Sequence, residues 1–217
     1  MDSLALTDIV ADYGTQRVLG PLSITLAPGE RVALVGKSGA GKSTLLGIMH
    51  RHWQRQGVAL MPQELGLVPS LSVFHNVFMG RLARRSAWYN LASLVRPFRR
   101  DVATILPLLE QLGIADKCWT ASGELSGGQR QRVAAARAIH QQGELLLADE
   151  PVSALDGPLS ETVMAALTEA YPTAVLAMHD VELALRYTDR VIGIADGTIA
   201  LDAPSHALGP QDLRVLY

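Results

Sequence analysis

A single cysteine, Cys118, stands among the 217 residues, so the chain can form no internal disulfide and suits a reducing compartment. Neither sign of charge dominates. Nineteen lysines and arginines against 21 aspartates and glutamates leave a formal net charge of −2. That balance speaks against a globally basic nucleic-acid binder and leaves only a local patch for such a role. No apolar run approaches the ~18 residues of a membrane-spanning helix, so any spanning part comes from a partner. The start carries Asp2, Asp8 and Asp12 where a basic stretch and an apolar one would mark a signal peptide, and none is expected. Internal repeats and low-complexity tracts are absent too. What is present is 48% hydrophobic and 18% charged residues, enough for a sizeable core in one large domain or a core with a smaller subdomain.

The punctuation of the chain points to an α/β fold. Residues 3–28 read as short strands with turns at Tyr13-Gly14-Thr15 and Ala27-Pro28-Gly29. "RVALV" (31–35), "GVALMPQ" (57–63), "ELLLAD" (144–149) and "AVLAMHD" (174–180) are short apolar runs of the kind that form buried strands. "LLGIMHRHW" reads as a helix, and "RVIGIADGTIALD" (190–202) as a hairpin turning at Asp196-Gly197. From about Glu64 to Ala138 helical periodicity dominates, with Pro69, Pro97 and Pro107 as punctuation. The predicted organisation is a single domain over 1–217. Its α/β core covers 1–63 and 139–217, with a helical subdomain inserted over 64–138.

Residues 36–43, G-K-S-G-A-G-K-S, complete the phosphate-loop pattern between a predicted strand and a predicted helix. Gly36, Gly39 and Gly41 let backbone N–H groups converge on phosphate oxygens, with Lys37, Ser38 and Ala40 completing the loop. Lys42 is placed to reach the β- and γ-phosphates, Ser43 to offer its hydroxyl to Mg²⁺, and Thr44 to add a further hydroxyl. A second apolar strand delivers Asp149 and Glu150 at its carboxyl end, where open α/β sheets bind ligands. Asp149 suits Mg²⁺ through water, and Glu150 the base that orients and polarises an attacking water. His179, after the third apolar strand, suits a γ-phosphate sensor, and Gln63 could hold the water or the metal.

A further stretch, "GELSGGQRQRVAAARAI" (123–139), places Gly127 and Gly128 between Ser126 and Gln129 at the start of a helix. Ser126 can cap that helix, and a capped, glycine-bearing helix start suits an anion.

Together these residues resemble the ATP-binding subunits of ABC transporters, and the resemblance covers essentially the whole chain. Gly36–Thr44 look like the Walker A motif, Gln63 the Q-loop glutamine and Leu125–Gln129 the LSGGQ signature. Leu145–Asp149 with Glu150 look like Walker B and its catalytic glutamate, Ser153–Asp156 the D-loop, and His179 the switch histidine. Tyr13 looks like the aromatic that stacks on adenine. The resemblance implies a P-loop ATPase core of RecA-like type, with ATP and Mg²⁺ as its ligands. It implies a head-to-tail homodimer in which Ser126, Gly127, Gly128 and Gln129 of one copy meet the γ-phosphate of the ATP held by the other. Its implied partners are integral membrane permease subunits and, indirectly, a substrate-binding protein, with no nucleic acid. Its implied place is the cytoplasmic face of the inner membrane, as a peripheral subunit.

Two departures from the family pattern stand out. Between Lys42 and Gln63 the family carries about twice this length, including antiparallel hairpin strands, so a shortened antiparallel β subdomain is expected. The shortening bears on the support behind Tyr13 and on nucleotide affinity. His50 and His52 lie there without a carboxylate or cysteine and read as surface residues. The opposite departure is an insertion at 81–101 with six arginines, Trp88, Tyr89 and Phe98. It resembles the ATPase subunits of phosphonate and phosphite importers, which implies a phosphonate or related phosphorus oxyanion as cargo. Another cargo (an amino acid, a metal oxyanion, a lipoprotein) is the alternative, and a soluble non-transport ABC ATPase a further one. The arginines read either as a solvated basic face or, as the resemblance implies for this subdomain, as part of a surface that meets the membrane partner. Trp53 and Trp119 read as packing residues, Cys118 as a bystander, and no C-terminal regulatory domain is expected.

Overall fold

The computed structural model describes residues 3–14, 16–214 and 216, with the backbone alone at 13, 16 and 55. In chain order the strands are β1 (Leu4–Tyr13), β2 (Gln16–Leu26), β3 (Arg31–Val35), β4 (Val58–Met61), β5 (Leu145–Asp149), β6 (Ala174–Ala177), β7 (Arg190–Ala195) and β8 (Thr198–Pro204). The helices are α1 (Lys42–Trp53), α2 (Val73–Phe78), α3 (Ala87–Val95), α4 (Arg99–Gln111), α5 (Gly127–Gln141), α6 (Gly157–Ala170), α7 (Val181–Tyr187) and α8 (Pro210–Arg214). Contacts within the chain form two compact units. One holds Met1–Gln63, Gly143–Pro151 and Tyr171–Tyr217, the other Glu64–Gln142 and Val152–Ala170.

The first unit is built on a six-stranded sheet in the order β4-β5-β6-β3-β7-β8. All neighbours are parallel except β7 and β8, which form the hairpin at Asp196-Gly197. The apolar runs explain this. Every residue of β5 and β6 is buried, as is all of β3 after Arg31, so no face of these strands is left for water. Helix α1 supplies part of the cover through Leu45, Leu46, Met49 and Trp53. At the edge, β8 instead alternates between exposed and half-buried residues, the pattern of a strand with one wet face.

β1 and β2 form a separate antiparallel pair. They are long, ten and eleven residues, where the sequence suggests several short strands. The interruptions at Asp8, whose φ is 51°, and at Gly20 are absorbed as register irregularities within the pair. The residues after α1 add no strand to this pair. A 3-10 turn at Gln54–Gln56 leads through Gly57 into β4, which joins the parallel sheet.

In the second unit α5 presents Val133, Ala134, Ala135, Ala136 and Ala138 as a buried face of small side chains, which lets neighbouring helices approach closely. Pro107 does not punctuate: it lies inside α4. The buried stripe Asp101, Ile105 and Leu109 holds that helix against its neighbours, so packing outweighs the hydrogen bond that proline cannot donate. Trp53 is buried, whereas Trp119 leaves 58% of its surface exposed although its ring meets Phe74 at 5.1 Å. Cys118 is free and buried, and burial pushes its thiol pKa up.

The insertion is ordered around one carboxylate. Asp101, 1% exposed, accepts from Arg85 Nη1 at 2.6 Å and from the Tyr89 hydroxyl at 2.6 Å. Tyr89 stacks between Phe78 and Phe98 and receives the Arg100 Nε at 2.7 Å. Arg81 and Arg84 donate to the carbonyls of His140 and Gln142, at the carboxyl end of α5 where cations are favoured. Four of the six arginines therefore make hydrogen bonds within the chain, and of the six only Arg81 and Arg85 are half-buried, the others being exposed. Replacing Asp101 with alanine strands Arg85 and Tyr89 and should cost about 3 kcal/mol or more. Urea unfolding checks this, with Arg99→Ala as a control expected within about 0.5 kcal/mol of the parent.

Candidate nucleotide site

The site is assembled from the carboxyl ends of four adjacent parallel strands. β3 ends in the glycine loop, β4 leads to Gln63, β5 to Asp149 and Glu150, and β6 to His179. A cleft of about 260 Å³ collects these ends. Lys42, Ser43, Thr44, Gln63, Glu150 and His179 line it, with Ser38, Gly39, Gly41 and Val18.

The loop has its shape for steric reasons. Gly36 has φ 142°, and a Cβ there would meet the Ile194 carbonyl oxygen at 2.2 Å. Gly41 has φ 104°, and a Cβ would meet Leu19 Cδ2 at 2.4 Å. Only glycine lets the chain leave β3, curl and enter α1 here. Lys42, the first residue of α1 and 6% exposed, donates from Nζ to the carbonyls of Gly36 at 2.6 Å and Lys37 at 3.0 Å. Burial pushes its pKa down, opposed by the negative charges of Glu150 and Asp149.

Glu150 follows β5 directly and has φ 52°, a left-handed conformation that a glutamate rarely takes. Its N–H donates to Ala177 O at 2.9 Å, which ties the turn to β6. The result aims its carboxylate at His179, with Oε1 2.9 Å from Nε2. Strain of this kind gathers at functional positions because the surrounding fold holds it in place. Asp149, 7% exposed, completes β5 opposite Ala177.

A second cleft of about 600 Å³ adjoins the loop. Lys37, Ser38, Gly39 and Ala40 line it together with Arg17, Val18 and the hairpin turn Asp196-Gly197. Sequence reasoning passed over Val18 and saw Asp196-Gly197 only as a turn. Neither carries a motif, and both reach the loop through strand pairing distant in sequence. The Tyr13 side chain lies outside the described residues.

Ser126, Gly127, Gly128 and Gln129 belong to the second unit. They open α5 with a full capping box: Ser126 Oγ accepts from Gln129 N at 3.3 Å, and Gln129 Oε1 accepts from Ser126 N at 2.9 Å. The same unit joins this helix start to Ser153–Asp156. Gln131 Oε1 accepts from Ala154 N at 2.8 Å, and a Cβ on Gly128 would meet Ala154 O at the same distance. The stretches 126–131 and 153–156, separate in sequence, are thus one packed piece.

The sequence pattern of the ABC transporter family matches residues 19–56 and 48–153, two pieces that overlap at the end of α1. The phosphonates import ATP-binding protein PhnC of Pseudomonas putida is 38% identical over 233 residues, 94% of this chain and 86% of that protein. PhnC of Pseudomonas entomophila is 37% identical over 243 residues, 99% of this chain and 91% of its own length. That match is longer than the chain itself, so residues of the relative face gaps here. PhnC of Anaeromyxobacter dehalogenans is 38% identical over 94% of this chain, which spans only 46% of that longer protein. Among solved structures, the dimeric bacterial ABC transporter cassette MJ0796 superposes with a TM-score of 0.81 at 25% identity, covering 93% of this chain and 98% of the cassette.

Lys42→Ala removes the one buried cation of the loop and should weaken nucleotide binding about a hundredfold, as expected for charge-assisted phosphate contacts. Titration with a fluorescent ATP analogue reads this, with an unchanged circular dichroism spectrum as the folding control. Matched by the family pattern over most of 19–153 and by relatives of 37–38% identity along nearly its whole length, the chain belongs to the ATP-hydrolysing subunits of the ABC transporter family.

Proposed function

We propose that this ATPase drives uptake of a phosphonate or a related phosphorus oxyanion. It would work as a homodimer on two membrane permease subunits, peripheral at the cytoplasmic face of the inner membrane, with a binding protein delivering the cargo. The observation that carries the chemistry is the convergence of Lys42, Ser43, Glu150 and His179 on one cleft. The cargo reading rests on relatives from several organisms that share the phosphonate-import name. Among the described residues no helix is long and apolar enough to cross a membrane, so the permease is a separate chain in this reading.

In this reading the loop N–H groups of 36–41 and Lys42 bind the phosphates, and Tyr13 stacks on adenine. Ser43, Gln63 and Asp149 offer the oxygen donors that a hard cation prefers, and Mg²⁺ bound there would neutralise phosphate charge. Glu150 orients and polarises the attacking water, and His179 contacts the γ-phosphate. Ser126, Gly127, Gly128 and Gln129 close on that phosphate from a second copy, so hydrolysis follows closure of the dimer. The signature lies in the second unit, which is larger than the 64–138 expected from the sequence: it runs over Glu64–Gln142 and takes in Val152–Ala170 as well. The exposed side chains of α3, Trp88, Leu91 and Val95, give it an apolar surface for the permease.

Glu150→Gln should leave ATP binding intact and lower turnover at least a hundredfold. Host cells carrying it should then fail to grow when a phosphonate or phosphite is the only phosphorus source, while growing normally on phosphate. Equal growth of parent and variant on every source rejects the cargo. Ser126→Arg should leave ATP binding by the monomer unchanged and abolish ATP-driven dimers in sedimentation. Equal loss of monomer binding rejects action in trans.

A further inference from the structure

Helix α3 is turned inside out. At helical spacing Tyr89, Asn90 and Ser93 form its inward stripe, and Ser93 is 0% exposed. Ala87, Trp88, Leu91, Ala92, Leu94 and Val95 form the rest of its surface and are all exposed. Trp88 leaves 81% of its surface bare and Val95 84%. A surface helix ordinarily does the reverse. The orientation is held from below, where the Tyr89 hydroxyl donates to Asp101 and Asn90 Nδ2 donates to Leu82 O at 3.1 Å. It also has a cost, since Asn90 Oδ1 and Ser93 Oγ are buried with no hydrogen-bond partner among the described residues. The outward face is therefore apolar by construction and has no cover within the chain.

The charge beside this face has one sign. Between Glu64 and Glu110 the chain holds six arginines and one acidic residue, Asp101, which is buried and paired with Arg85. The exposed arginines bracket the helix: Arg84 precedes it, and Arg96, Arg99 and Arg100 follow it. Arg84 donates to a carbonyl and Arg100 to the Tyr89 hydroxyl, so neither cation is neutralised by the bond it makes. A permease groove could cover the apolar side chains, but it would need carboxylates placed at both ends of α3 as well. A second copy of the chain would set arginines against arginines. A bilayer surface with anionic lipids supplies acyl chains and phosphates side by side. Tryptophan settles at that boundary, and arginine reaches from it to phosphate. Nine residues of helix are about 14 Å long, too short to span a bilayer and suited to lie in its plane.

We propose that the outward face of α3 rests in the headgroup layer of an anionic membrane. Trp88, Leu91 and Val95 enter the layer, and the arginines at either end of the helix hold lipid phosphates. The proposal rests on the reading of the chain as a peripheral membrane subunit, and it extends the contact of α3 from the permease to the lipid around it.

The test is flotation of the full chain with vesicles of phosphatidylcholine alone or mixed with phosphatidylglycerol. At low salt the anionic vesicles should bind the chain about tenfold more tightly or better, and raised salt should remove most of the difference. Tryptophan emission should shift to the blue on binding. The shift should vanish in Trp88→Phe and persist in Trp119→Phe. Trp88→Ser with Val95→Ser, both at exposed positions, should weaken binding about tenfold or more while ATP binding stays unchanged. Arg96→Gln with Arg99→Gln should flatten the salt dependence. No binding to either vesicle, equal binding to both, or a blue shift that follows Trp119 overturns the proposal. So does retention by host membranes through Trp88 that vesicles of their extracted lipids do not reproduce. That last result keeps the peripheral reading and gives the face to the permease. ATP binding on the same samples reads the ATPase separately.

Discussion

The structure depends on the complete burial of a few short parallel strands. β3, β5 and β6 have almost no residue that water can reach, and each must stop abruptly where the core stops. Because they are parallel, they stop on the same side. The loops after them are forced to share one edge of the sheet, and the polar residues placed first in those loops meet without any contact between them in sequence. The phosphate loop, Gln63, Glu150 and His179 are neighbours for this reason.

Exact placement comes from backbone conformations that most residues avoid. Gly36 and Gly41 curl the loop around a space that Lys42 crosses, and Glu150 is held in a left-handed turn by its hydrogen bond to β6. Glycine meets the first demand at no steric cost, while glutamate meets the second only because the sheet on either side is rigid. In the other unit the capping box of Ser126 and Gln129 fixes the start of α5, and Gln131 ties that start to Ala154. Each of these two pieces is thus stiffened locally, as the roles proposed for them, positioning and charge at a phosphate, require.

The two departures from the family pattern have opposite physical characters. The insertion at 81–101 is a closed piece of structure, with Asp101 neutralised by Arg85 and an aromatic stack beneath it. A solvated face describes Arg84, Arg96, Arg99 and Arg100, which are exposed, but not Arg81 and Arg85, whose partners, the His140 carbonyl and Asp101, become neighbours only in three dimensions. At the shortening after α1, by contrast, material is missing, and among the described residues β1 pairs with β2 alone. The next strand after α1, β4, is drawn into the parallel sheet by its apolar residues and adds nothing to the β1–β2 pair.

The sequence by itself determined the α/β class, the phosphate loop, the capped start of α5 and the shortened antiparallel part. These rest on local rules: glycine spacing, capping residues, short apolar runs and chain length. It could not determine that Pro107 would sit inside α4, that β1 and β2 would run long through Asp8 and Gly20, or that Val18 would line the nucleotide cleft. Nor could it show the Glu150–His179 contact or the tie between Gln131 and Ala154. Those outcomes were decided by tertiary structure, because each depends on burial or pairing between residues far apart in the chain, where packing energy outweighs local preference.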